Sequence, residues 1–372
     1  MRKIAVPAVR LPAGQFFKKG VISLYGILQN KKRLLRSGAA GFLALMLFFA
    51  APSAGAAQVT ADGGAGPSDV KMLVPVGHTV GIKLFSKGVL VVKLPEDDTP
   101  AKECGLKTGD IIVRCGGTAV QSTEPFQTLL QEAGEKPTDL QVRRGSQQMT
   151  LCVSPEQNEQ GGYSIGAWIR DSMAGIGTVT YYDPDTGAFG ALGHGVADTD
   201  TALLMPFSSG SVLPSTVKAV KRGQAGSAGE LRGDFDLSGD LGHLYANTSS
   251  GVFGTMDTDS AAWLNRKALP VAKAEEVRTG PATILANVQG DEVREYDIEI
   301  LKVIQNADDG RDLVISATDP DLIAATGGIV QGMSGSPILQ NGKFVGSVTH
   351  VLLNNPTKGY GIFLENMLKA AE

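Results

Sequence analysis

From about residue 70 onward the chain is a succession of short apolar patterns broken by Gly, Asn, Asp and Pro. Val89-Leu90-Val91-Val92 is a continuous apolar run with the length of a buried strand. Ser122 and Thr123 offer helix caps, and Pro125 falls in a first turn. Phe126, Leu129, Leu130 and Ala133 then follow at i, i+3, i+4 and i+7, which predicts an amphipathic helix. Residues 139–143 and 148–153 alternate around Arg144-Gly145-Ser146 and predict a hairpin. Further on, residues 176–182 pair with 188–192 across Asp183-Pro184-Asp185-Thr186-Gly187, and residues 293–300 alternate again. Residues 337–339 and 343–348 flank Asn341-Gly342, the strongest short hairpin signal. Residues 364–371 read as a closing helix. Many short strands with closely spaced turns predict a mainly β protein, barrel or sandwich, and not a βαβ array.

Charge adds a statement about location. Nine Lys/Arg and no Asp or Glu lie between Met1 and Ala61, which leaves 25 basic against 38 acidic residues in the remainder. That acidic body argues against a nucleic-acid partner. The basic residues end at Arg36; an uncharged, largely apolar run from Ser37 to Ala51 follows, then Ala54-Gly55-Ala56-Ala57. A positive flank, an apolar core and small residues describe an export signal or marginal membrane anchor over 1–57, with the bulk of the chain outside the cytoplasm. Residues 58–69 read as a flexible linker. The total of 372 residues suits two folded domains, 70–154 and 155–372. Cys104, Cys115 and Cys152 form no disulfide framework and read as small core residues. No metal-ligand spacing is present, and no cofactor is expected.

Two segments carry chemistry. In Ala191-Leu192-Gly193-His194-Gly195-Val196 a histidine stands between glycines at a strand end. In Gly327-Gly328-Ile329-Val330-Gln331-Gly332-Met333-Ser334-Gly335-Ser336-Pro337 a serine sits on a glycine-flanked turn. A serine nucleophile needs converging backbone N–H groups where the oxyanion develops, and a histidine to take its proton. Ser336 is the rival nucleophile, and His350 reads as a wall residue. The carboxylate that would steady the histidine is not fixed by spacing: Asp198, Asp200, Asp234, Asp236 and Asp240 all compete.

Gly105-Leu106-Lys107-Thr108-Gly109-Asp110-Ile111-Ile112, set between a strand and the predicted helix, resembles the bacterial protease-associated PDZ domain. The resemblance implies peptide capture by strand addition, on an edge at Val80, Gly81, Ile82 and Lys83. The serine loop and its following hairpin resemble those of chymotrypsin-like serine proteases, which implies a double β-barrel. Carried over, Ser334 is the nucleophile, His194 the base, and the amides of Gly332 and Ser334 the oxyanion donors. Met333 stands in place of the motif Asp, and Gly328 stands where a charged specificity residue would.

The assembly of signal or anchor, PDZ-like module, Gly-Ala-Leu-Gly-His, Thr318-Asp319-Pro320, the serine loop and Thr349-His350-Val351 resembles the stage IV sporulation protein B peptidase family. This implies an exported, self-processing serine endopeptidase of the sigma-K checkpoint, with Asp319 as third triad member. It also implies polypeptide substrates, namely the chain itself and a membrane-bound regulator. Location in the space between forespore and mother cell follows from the same resemblance. A catalytically inactive peptide-binding adaptor is the competing expectation.

Overall fold

The computed structural model describes residues 70–237, 239–257, 264 and 266–372. The expected export segment and linker lie outside these residues. The first part of the chain runs through β1 (Thr79–Lys93), α1 (Pro100–Glu103), β2 (Ile111–Cys115), α2 (Thr123–Ala133), β3 (Thr138–Arg144) and β4 (Gln147–Val153). β5 (Trp168–Tyr182), β6 (Ala188–Ala191), β7 (Phe207–Lys221), β8 (Gly242–Thr248) and β9 (Gly251–Met256) follow. The last part is β10 (Gly280–Gln289), β11 (Glu292–Val303), β12 (Leu313–Ala317), α3 (Pro320–Thr326), β13 (Pro337–Gln340), β14 (Lys343–Leu352), β15 (Asn355–Phe363) and α4 (Leu364–Ala371).

Two closed barrels result. In the first, β1 pairs with β5, β5 with β6, β6 with β9, β9 with β8, β8 with β7, and β7 back with β1. Val80, Ile82, Val179, Phe189, Val212 and Val252 fill it. The second closes in the order β10-β11-β12-β15-β14-β13 around Ile284, Ile298, Ile315, Ile338, Val348 and Phe363. Closure leaves the barrel strands without free edges. The mainly β, double-barrel architecture is the one the sequence resemblance implies.

The PDZ-like module is spliced into the first barrel. β1 and β5 are each fifteen residues long, and both run through the barrel and out of it. Their register holds from Thr79↔Thr178 to Phe85↔Ser172, breaks, and resumes from Leu90↔Arg170 to Lys93↔Trp168. Beyond the break they join β2, β3 and β4, over a separate core that includes Val89, Ile112, Phe126, Leu130 and Val142. Burying Phe126 alone contributes about 2–3 kcal/mol. The Gly-Asp of the motif has a structural reason: buried Asp110 accepts from the Lys107 amide at 2.8 Å and from Arg144 through two bonds of 2.7 Å.

This splice corrects two expectations. A boundary after Ser154 separates strands that share one barrel, because the first half of β1 pairs with strands from beyond it. Val80, Gly81, Ile82 and Lys83 form no open edge, since β5 occupies one side and β7 the other, with Gly81 opposite both Ile176 and Leu213. The groove beside α2 is lined instead by the segment 163–169, together with Phe126, Gln127, Leu130 and Gln131. Gln131 holds that segment through both backbone groups of Tyr163, at 2.7 and 2.9 Å. All three cysteines are free. Cys115 is buried as expected, whereas Cys152 is exposed on the outermost strand of its sheet. Among the described residues no helix is long and apolar enough to cross a membrane.

Candidate active site

Thr178 of β5 is one of several points where the barrels are bonded, beside the backbone pairs Val217–Gly290 and Leu231–Gln331. The Thr178 amide donates to the Ser334 carbonyl at 3.1 Å, its hydroxyl donates to the Gly332 carbonyl at 2.7 Å, and its carbonyl accepts from the Leu192 amide at 3.2 Å. One residue thus ties the serine loop of the second barrel to the histidine turn of the first. Gly335 is required at this junction. It has φ +99°, and a Cβ there would overlap the Thr178 carbonyl and lie 2.6 Å from the Leu192 nitrogen.

A cavity of roughly 440 Å³ opens beside this junction. His194 and Ser334 both line it, with His350 and a largely apolar wall that includes Ile82, Ile176, Ile329 and Leu353. No carboxylate is among the lining residues. The serine loop is built by its own backbone bonds: the Gly335 amide donates to Val348 at 2.7 Å and the Ser336 amide to Met333 at 2.9 Å. The amides of Gly332 and Ser334 donate to no acceptor among the described residues. Ser336 is fully buried, which removes it as a rival nucleophile.

His194 Nδ1 lies 2.8 Å from the carbonyl oxygen of Gly195. With the proton on Nδ1, that bond leaves Nε2 as the basic nitrogen. Enclosure in the cavity wall lowers the pKa of His194, against the raising effect of the Gly195 carbonyl. The ring faces His350 at 4.9 Å between centroids, tilted by 34°. His350 is pushed down to about 4, first by desolvation and then by the charges of His194 and Arg311. The approach to His194 passes through Leu192, whose φ of +70° is unusual for a side chain of its size and stores about 1–2 kcal/mol of strain. That conformation was not readable from the sequence.

Two expected contacts are not made. The Ser334 hydroxyl donates to the Thr349 carbonyl at 2.7 Å and not to His194. Asp319 is not brought to the histidine. It caps α3, accepting from the Asp321 and Leu322 amides at 2.9 Å each, and it accepts from the Asp297 amide at 3.3 Å. The physical reason is local: an aspartate directly before a helix-starting proline satisfies the open N–H groups of the first turn. Of the rival aspartates, Asp198 is buried and held by Arg170 and Thr201, and Asp200 is bonded to Arg170 at 2.8 Å. Asp198, Asp200, Asp234, Asp236 and Asp240 do not line the cavity.

A model described as SpoIVB peptidase S55 matches residues 161–368, and a PDZ domain model matches residues 91–144. Serine protease HTRA1 of Xenopus tropicalis is 39% identical over 62 residues, which is 17% of this chain and 13% of that one. The curated relatives that the chain matches are covered over only 13% to 27% of their own length. Among solved structures, the PDZ domain of the SdrC-like protein Lmo2051 from Listeria monocytogenes is 22% identical, with a TM-score of 0.21 over 22% of this chain and 87% of that one. The inactive form of the Rv3671c protease is 15% identical, with a TM-score of 0.28 over 53% of this chain and 82% of that one. With a family model spanning more than half of its length, including both His194 and Ser334, the chain belongs to the SpoIVB peptidase S55 family.

Proposed function

We propose that this protein is a PDZ-containing serine endopeptidase in which Ser334 is the nucleophile and His194 the general base. One observation carries the reading: side chains from two separate barrels line one cavity beside two unengaged amides. In the proposed reaction the Ser334 hydroxyl leaves the Thr349 carbonyl and gives its proton to Nε2 of His194. The Gly195 carbonyl holds the ring in the matching tautomer. The serine oxygen attacks the peptide carbonyl, and the amides of Gly332 and Ser334 stabilise the oxyanion. His194 then protonates the leaving amine, and water releases the acyl group in a second round. The apolar wall accepts an uncharged, apolar side chain next to the scissile bond.

The family adds the finer reading. The substrates are the chain's own precursor and a membrane-bound regulator, cleaved after export from the forespore, as a signal to the mother cell that activates sigma-K. The segment 1–57 directs that export and initially holds the protein at the membrane.

The test is covalent labelling with a fluorophosphonate, followed by mapping of the adduct. Labelling at Ser334 is expected, and Ser334→Ala is expected to lower peptide cleavage by about a million-fold while the chain still folds. A stable Ser334→Ala protein that processes itself at the native rate overturns the assignment. Complete absence of labelling in the native chain favours the inactive peptide-binding adaptor, the reading supported by the Ser334 hydroxyl resting on Thr349.

A further inference from the structure

Arg170 and Asp171 are neighbours on β5, at the break where that strand leaves the barrel for the PDZ-like module. Successive side chains on a strand point to opposite faces, and these two grip different elements. Asp171 accepts from the amide of Thr123 at 2.7 Å and from its hydroxyl at 2.9 Å. Thr123 is the first residue of α2, and Ser122 at the cap position supplies no side-chain bond. The helix that walls the groove is therefore capped by a strand from outside its own sequence neighbourhood.

Arg170 reaches the other way, to Asp198 and Asp200. These aspartates stand four and six residues after His194, and the intervening Gly195, Val196 and Ala197 line the cavity. The base of this loop is pinned by Asn247, which bonds both backbone groups of Val196 and the Met205 carbonyl. Its tip is held by Arg170, and Leu203 packs against Gly109 of the PDZ-like motif. Asp198 is almost wholly buried. Burial alone pushes its pKa up, but bonds from Thr201 and the charge of Arg170 more than reverse this and hold the carboxyl below its usual range. The second barrel has no comparable attachment to the module among the hydrogen bonds and ion pairs described.

We propose that Arg170 and Asp171 are positioning residues that couple the α2 groove to the His194 loop, so that the placement of the helix sets the placement of the base. This rests on the reading of His194 and Ser334 as the reacting pair. A peptide seated between α2 and residues 163–169 displaces the helix relative to β5. The two adjacent side chains carry that displacement across the strand to the loop 195–205. Neither side chain touches the reacting groups.

The experiment measures the rate of Ser334 labelling by a fluorophosphonate in the full chain, as a function of reagent concentration, with melting followed in parallel. Arg170→Ala is expected to slow the saturating rate roughly tenfold, and so is Asp171→Ala, which removes a contact on the far side of the strand. The reagent concentration giving half the maximal rate stays unchanged, because the fault lies in the base and not in binding. The double variant is expected to be no slower than the worse single, and Arg170→Lys to recover most of the rate. A merely structural role predicts instead that labelling falls only in proportion to the folded fraction. Native-rate labelling in Asp171→Ala, or strictly multiplicative effects in the double variant, overturns the coupling and leaves the site reading intact. An adduct on a residue other than Ser334 overturns both.

Discussion

The two barrels reach the same closed topology by different routes. The second is made from one stretch of chain, 280–363, in which most strands pair with a sequence neighbour. The first draws β1 from before the PDZ-like module and β5 to β9 from after it, so its closure depends on pairings between distant residues. The consequence is mechanical. The barrel that carries His194 shares two continuous strands with the peptide-groove module, whereas the barrel that carries Ser334 stands apart from it. One half of the site is therefore exposed to influence from the groove, and the other half is held by its own loop bonds, by Thr178, and by Gly229 and Leu231 on either side of Glu230.

This contrast can be broken most severely at the junction. Gly335→Ala forces a methyl group onto the Thr178 carbonyl at a positive φ, and is expected to destabilise the protein by about 3 kcal/mol or more. Gly342→Ala, at φ +75° with open space around it, is expected to cost only about 1 kcal/mol. Chemical denaturation of the two variants checks this, and equal losses would mean that the junction does not hold the barrels together.

The pH dependence sharpens the histidine side. With His194 as the proposed base, labelling would need its neutral form, and enclosure, which disfavours the cation, holds its pKa below the ordinary 6.5. The rate is therefore expected to stay level as pH falls through 6.5, then drop about tenfold per unit below the lowered pKa. A midpoint above 6.5 would require a carboxylate beside the ring.

The smallest effect expected is at Asp319. As a helix cap, Asp319→Ala costs about 1 kcal/mol of stability, and Asp319→Asn keeps both the cap and the cleavage rate within a few-fold. A loss near ten-thousand-fold in Asp319→Asn, measured on a peptide substrate, would instead identify a carboxylate that steadies the imidazole.

Much of this was legible from local signals. Asn341 and Gly342 both take positive φ, as the hairpin between β13 and β14 demands, and the serine loop has the glycines its backbone requires. Val80, Gly81, Ile82 and Lys83 do lie in a strand, as the resemblance implied. Period two says which face is covered, however, and not which strands lie alongside. For that reason an inner barrel strand read as an open edge. Asp319 carries two signals of different kinds: aspartate before proline described the cap that the structure shows, whereas its place in a triad came from family resemblance alone. The trans cap from Asp171 to Thr123 spans 48 residues and left no trace in the sequence.

Thr178 has one last implication. Because its three backbone and side-chain groups are the stitches between histidine turn and serine loop, chemistry in this molecule belongs to the docked pair and to neither barrel alone.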